Sequence, residues 1–357
     1  MGIFDEMSKQ GHEQLVFAYD RTTNLRTIVA IHNTTLGPAL GGTRMMPYPT
    51  EQDALNDVMR LSRGMTYKAA ASGVNYGGGK AVIWGDPNRD KSEAMWRAYG
   101  QFIQALGGRF ITGTDMGTYP EDFVTAAWES DYMVGLPEEY GGSGDTSILT
   151  AVGVFEGIRA CLKFVYGDDS VSGRTIAIQG VGKVGAKLAR DLAHKGAKVM
   201  VADVDQARAQ ALASEISAQV VSPDDIYSVP CDVFSPCSVG GVLNDRTIPL
   251  LQARIVAGSA NNQLAEERHG ELLHDRGILY APDYIINAGG MIQVAEEWGG
   301  YVKEEAERQT RLIYKRLLEL FAIAQREGIS PNRAAAVMVE RRLQTIHTIH
   351  RTTIPRA

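Results

Sequence analysis

Residues 175–179 (TIAIQ) run directly into Gly180-Val181-Gly182-Lys183-Val184-Gly185, which opens a helical stretch over 186–194. A strand, then G-x-G-x-x-G, then a helix restricts the fold more than any other segment of the chain. Gly180 suits a tight turn, Gly182 leaves room for a pyrophosphate, and Gly185 lets the helix pack closely on the strand. Free N–H groups at the helix start would face the anion. Asp203 ends the next strand, about 20 residues further on, where a carboxylate accepts ribose hydroxyls and repels a 2′-phosphate. No Arg or Lys occupies 204–207, and Arg208 reads as too far into the following helix to intervene. The expected cofactor is therefore NAD rather than NADP.

The surrounding pattern agrees. Stretches 175–179, 198–203, 231–235, 254–257 and 278–280 read as strands separated by helices, an alternation that builds a parallel sheet covered on both faces. A helix carrying Val152, Phe155, Ile158 and Leu162 precedes them, and the last ~50 residues read as two long helices, the second opening Ser330-Pro331. At 357 residues the chain is too long for one core, so two domains are expected. A net charge of −6 argues against a nucleic-acid partner. No run reaches about 18 apolar residues, so no membrane partner is expected. The start lacks a signal-peptide pattern, and the three cysteines form no C-x-x-C pair, which fits a reducing cytoplasm.

The front of the chain reads as a buried strand over 27–32, glycine-bearing turns at Gly37-Pro38 and Gly41-Gly42, and a helix capped by Thr50 that continues through Lys68 to Ala71. The glycine triplet Gly77-Gly78-Gly79 then leads into a strand over 80–84. This helix-turn-strand order could carry Lys68 and Lys80 into one cleft. Two close, desolvated cations depress each other's pKa, so that one acts as a base while the other binds an anion. The seven histidines read as surface or core residues, and His269 and His274 lack a zinc-helix spacing, so no metal is indicated.

Gly37-Pro38-Ala39-Leu40-Gly41-Gly42-Thr43-Arg44, Lys68, the G-G-G-K at 77–80, Thr112-Gly113-Thr114-Asp115-Met116, the nucleotide loop, Ala260-Asn261-Asn262-Gln263 and Asn287-Ala288-Gly289-Gly290 resemble the glutamate, leucine, phenylalanine and valine dehydrogenase family, in order and spacing, from about Gly11 to about Arg341. The resemblance implies an α/β chain of two domains: residues 1–134 for substrate binding and oligomerisation, with a helix over 330–357 packing back on them, and a Rossmann NAD-binding domain over 135–329, with a cleft between. It implies NAD-dependent oxidative deamination of an L-amino acid to a 2-oxo acid and ammonia, by a homo-oligomer. Lys80 and Asp115 would be catalytic, the lysine polarising the carbonyl through a water. Lys68 would bind the substrate carboxylate, with Leu40, Gly41, Gly42, Gly113, Asn262, Met291 and Val294 around the substrate. Arg44, Ser147, Thr150, Gly180, Val181, Gly182, Lys183, Val184, Gly185, Asp203, Val204, Cys237, Ser238, Ala260 and Asn261 would hold the cofactor. The triplet glycines would leave space for the amino acid.

Within the family, Leu40 stands where the glutamate branch carries a lysine, which implies an apolar pocket. Gly113, Thr114 and Met291 resemble the phenylalanine branch; Gly113 would open room for a ring, and Met291 can adapt its shape to one. L-phenylalanine and phenylpyruvate are thus the expected pair. A leucine or branched-chain enzyme is the alternative within the class, and a non-catalytic NAD-binding regulatory protein the alternative outside it.

Overall fold

The computed structural model describes residues 2–347. They form two compact units: one holds the chain up to Gly144, Val294–Val302 and the chain from Val339, and the other holds Asp145–Gln293 and Lys303–Met338. The first break thus falls after Gly144 rather than after 134. Residues beyond 134 stay with the first unit because a carboxylate holds them: Glu297 accepts the N–H of Gly135 (2.5 Å) and the N–H of Ser143 (2.9 Å).

The first unit is built on a five-stranded sheet of order β1-β2-β4-β3-β5: β1 (Gln14–Asp20), β2 (Leu25–Asn33), β3 (Ala39–Met46), β4 (Gly77–Trp84) and β5 (Phe110–Thr114). β4 runs antiparallel to β2 and parallel to β3, which in turn runs parallel to β5. Helix α1 (Ile3–Gln10) precedes β1. Helix α2 (Glu51–Ser72) covers one face, where Val58 and Met59 pack with Ala30 and Val82. Helices α3 (Glu93–Ala105) and α4 (Pro120–Ala127) cover the other, around Tyr99, Phe110 and Phe123. α2 begins as its sequence predicts, with the Thr50 side chain accepting the Asp53 N–H. It ends at Gly73 in the left-handed region (φ 78°).

The glycines differ from expectation. Gly41-Gly42 and Gly77-Gly78-Gly79 are not turns: the first pair lies inside β3, and the triplet is the opening of β4. Nor does the triplet leave open space: a Cβ on Gly78 would collide with Thr66 of α2, one on Gly77 with the Asn33 carbonyl, and one on Gly79 would lie 2.7 Å from the Phe110 ring. The chain uses glycine there because helix, strand and ring are packed against bare backbone.

In the second unit the sheet order is β11-β10-β9-β6-β7-β8, all parallel, the doubly wound order of a Rossmann fold. Its strands are β6 (Thr175–Gln179), β7 (Lys198–Ala202), β8 (Gln219–Val220), β9 (Val233–Pro236), β10 (Ile255–Val256) and β11 (Leu279–Tyr280). Helix α5 (Ser147–Tyr166) leads in; α6 (Lys183–His194), α7 (Gln206–Ile216) and α8 (Arg268–Asp275) connect strands, and the short α9 (Asp283–Ile286) and α10 (Gly289–Ala295) follow β11. After α11 (Lys303–Arg311) come the two long helices that the pattern predicts, α12 (Ile313–Glu327) and α13 (Pro331–His347), the second opening at Pro331. Of the expected helix over 330–357, the part after His347, including His350, lies outside the described residues. The described part does reach the first unit: Arg342 donates to the carbonyls of Ala70 (2.5 Å) and Val74 (3.2 Å) and to Asn75 (2.9 Å) at the end of α2.

Candidate active site

Lys80 lies on β4, opposite Ala30 of β2, and is 5% exposed. Asp115 follows β5, and Arg44 lies on β3, the strand between β4 and β5. The sheet therefore brings the three together. Lys80 Nζ is 3.0 Å from Asp115 Oδ1, and Arg44 Nε donates to Asp115 Oδ2 at 2.8 Å. The series continues through two residues that the sequence did not single out. Arg44 also donates to Asp57 of α2 (2.8 Å), and the Tyr48 hydroxyl donates to the same oxygen (2.8 Å). Arg44, expected as a cofactor ligand, thus binds two carboxylates of its own unit.

Burial lowers the pKa of the Lys80 amine; Asp115 opposes that shift and Arg44 adds to it. Arg44 thus acts on Lys80 as a neighbouring cation, one that the sequence did not point to. Burial works to raise the Asp115 carboxyl, but Lys80 and Arg44 outweigh it and hold Asp115 below the usual carboxylate range. The carboxylate of such a pair is ionised at neutral pH, and its lysine gives up a proton more readily than an exposed one.

Lys68 stands half-buried in the last turns of α2, the helix whose Thr66 backs onto β4. Leu40 is buried on β3. A Cβ on Gly41 would meet the Gly79 carbonyl, and one on Gly42 would lie 3.0 Å from Asp115 Cβ. Gly113 does not open a space: its absent methyl would point at the Val134 carbonyl, 2.7 Å away, because the strand is pressed against that backbone. Met291 and Val294 are one turn apart on α10 and partly buried. Glu297, two residues past α10, and Asp57 carried no sequence signal, since each acts through partners distant along the chain.

In the second unit the nucleotide-loop glycines have three different surroundings. Gly180 is left-handed (φ 92°), and a Cβ there would lie 2.7 Å from Ser238. Gly182 faces open space, with nothing within 4 Å of a Cβ, and is followed at once by α6. A Cβ on Gly185 would strike the Gly180 carbonyl and lie 3.2 Å from Cys237 Cβ. An open backbone position at a helix N-terminus fits a pyrophosphate, and Lys183 and Val184 form the first turn. Asp203 accepts the Val181 N–H (2.8 Å), so its carboxylate braces this loop, while Val204 is 91% exposed beside it. Arg208 is not too far along α7: it is in the first turn, and its guanidinium is 3.9 Å from Asp203.

At the start of α5, Ser147 accepts from Lys187 (2.8 Å) and donates to Asp145 (2.6 Å), and Thr150 donates to the Thr146 carbonyl. The Asn287-Ala288-Gly289-Gly290 segment seats here, for a Cβ on Gly290 would lie 2.9 Å from Thr150 Oγ1. Asn287 donates to Asn261 Oδ1 (2.8 Å), Ala260 is buried, and Asn262 is left-handed (φ 50°) and exposed. Elsewhere, Asp245, Glu266 and His269 cluster within 4.8 Å. Arg268 binds both carboxylates, and the Glu266 N–H donates to His269 Nδ1, which leaves Nε2 carrying its hydrogen rather than a lone pair for a metal.

Residues 12–132 match the Glu/Leu/Phe/Val dehydrogenase dimerisation domain, and residues 141–209 and 201–342 match the Glutamate/Leucine/Phenylalanine/Valine dehydrogenase domain. The chain is 53% identical over 346 residues to a phenylalanine dehydrogenase of Caldalkalibacillus thermarum (strain TA2.A1), covering 96% of this chain and 93% of that one. It is 50% identical over 346 residues to a leucine dehydrogenase of Geobacillus stearothermophilus, covering 97% and 94%. The crystal structure of L-tryptophan dehydrogenase from Nostoc punctiforme superposes with a TM-score of 0.90 at 44% identity, covering 97% of this chain and 99% of that one. Fold and relatives together define an amino acid dehydrogenase. More narrowly, the chain belongs to the Glu/Leu/Phe/Val dehydrogenase family, a family of NAD(P)-dependent enzymes.

Proposed function

We propose that the chain catalyses the reversible, NAD-dependent oxidative deamination of L-phenylalanine to phenylpyruvate and ammonia. The observation that carries this reading is the buried Lys80–Asp115 pair, 3.0 Å apart, on a sheet that also bears Arg44. NAD, when bound, supplies the hydride acceptor. Lys68 holds the substrate carboxylate by charge. Asp115, kept ionised by its two cations, takes a proton from the substrate ammonium. Lys80, with its pKa lowered by burial, takes a proton from the water that adds to the α-carbon. The open backbone at Gly182 and the Asp203 carboxylate behind the loop support NAD as the cofactor.

Leu40 and Val294 of the first unit support an apolar side-chain pocket, and the character of Met291, a residue that adapts its shape to a ring, supports an aromatic substrate. One methylene in such a pocket distinguishes substrates by only ~1–3 kcal/mol, so slower turnover of leucine is part of the same reading. The enzyme would act in the cytoplasm as a homo-oligomer, for which the exposed Phe17 and Tyr19 on edge strand β1 offer a contact. The test is NADH formation at alkaline pH on a panel of Phe, Leu, Trp, Val and Glu, repeated with NADP. Phe leading the panel is expected, with Lys80→Ala slower by about 10²–10⁴-fold, the range for loss of an acid–base group. Leu clearly outpacing Phe would overturn the substrate assignment.

A further inference from the structure

In the second unit, a cavity of about 430 Å³ opens where β10 and β11 begin, far along the strands from the loop that follows the end of β6. Parallel strands place those two features at opposite edges of the sheet, and nucleotides bind at the carboxyl edge. The cavity has apolar walls: the rings of Phe164 of α5 and Phe321 of α12 meet at a tilt of 44° with centroids 5.1 Å apart, with Ile278, Leu279 and Ile329 beside them. Phe164 is 37% exposed, a large apolar surface facing solvent. The cavity's polar side chains are Arg254, His274 and Gln325. An adjoining cavity sharing Arg254, Gly277 and Ile278 adds Arg276. No carboxylate lines either cavity. Among the described residues Arg254 forms no ion pair or hydrogen bond, whereas Arg276 donates to the Leu251 carbonyl.

Helices α5, α8 and α12 end nearby, and each end carries about half a negative charge at most. All three ends are capped by backbone N–H groups: Gly167 donates to Lys163, Arg276 to Leu272 and Gly328 to Ala324. Full charges on two guanidiniums outweigh these partial ones. A zwitterionic amino acid would need an acid for its ammonium group, and none lines either cavity. We infer that this pocket is a second ligand site, for an apolar monocarboxylate that lacks an ammonium group, its chain or ring against Phe164 and Phe321 and its carboxylate on Arg254.

Calorimetric titration of the whole enzyme with 3-phenylpropanoate tests this. Two sites per subunit are expected. Arg254→Ala should weaken one by tenfold or more and leave turnover of the amino acid substrate unchanged, while Lys68→Ala should weaken the other. Phe164→Ala should act on the same site as Arg254→Ala. A single site that is insensitive to Arg254→Ala would overturn the inference. So would a change in assembly mass on Arg254→Ala without loss of a site, which would mean that another copy of the chain covers the pocket. Loss of the Lys68-dependent site alone bears only on the active-site assignment.

Discussion

At Lys80, charges of opposite sign act on one buried amine. Burial and Arg44 push its pKa down, and Asp115 pulls it up. If Lys80 is the base, the rate of deamination rises with pH as that amine loses its proton. Removing Arg44 removes a lowering influence, so Arg44→Gln should move the acid limb of the kcat profile to higher pH. An unmoved limb would mean that another group sets it. Not all of this was legible in the sequence. Lys80 and Asp115 belong to recognisable motifs, but the Arg44–Asp57–Tyr48 extension depends on the turn between β3 and α2, which no local pattern specifies. Two of the histidines that the pattern places at the surface or in the core, His12 and His32, are buried with ring centroids 4.8 Å apart, and burial pushes His32 down to about 4.

Glycine within an element has two distinct meanings in this chain. In β4 it lets neighbours touch backbone; in the loop before α6 it keeps backbone bare. Gly79→Ala should therefore lower stability by about 1–3 kcal/mol, as overpacked cores do, read as a fall in the melting temperature without ligand. Gly182→Ala, with nothing near its Cβ, should melt normally but bind NAD at least tenfold more weakly. The reverse pattern would exchange the two explanations. The sequence revealed the second meaning because strand, loop and helix are contiguous, and missed the first because Thr66 and Phe110 lie elsewhere in the chain. Of the two-residue strands, β10 and β11 fall inside the predicted stretches 254–257 and 278–280, whereas the pattern offered nothing for β8.

For the whole molecule, two units with separate cores predict separable responses to ligand. A nucleotide held by the second unit should raise the unfolding temperature of that unit by the equivalent of about 2.7 kcal/mol at 100 times its Kd. Hydrogen exchange measured with NAD and with NADP would locate the protection in Asp145–Gln293 if the glycine loop is the site, and NAD should give the larger effect. Protection confined to the first unit would remove the nucleotide loop from the account. The Glu297 carboxylate, finally, has a consequence for anyone cutting this gene. A fragment ended at Gly144 leaves the Gly135 and Ser143 amides without their acceptor, so a minimal first unit needs the 294–302 peptide spliced in or supplied in trans.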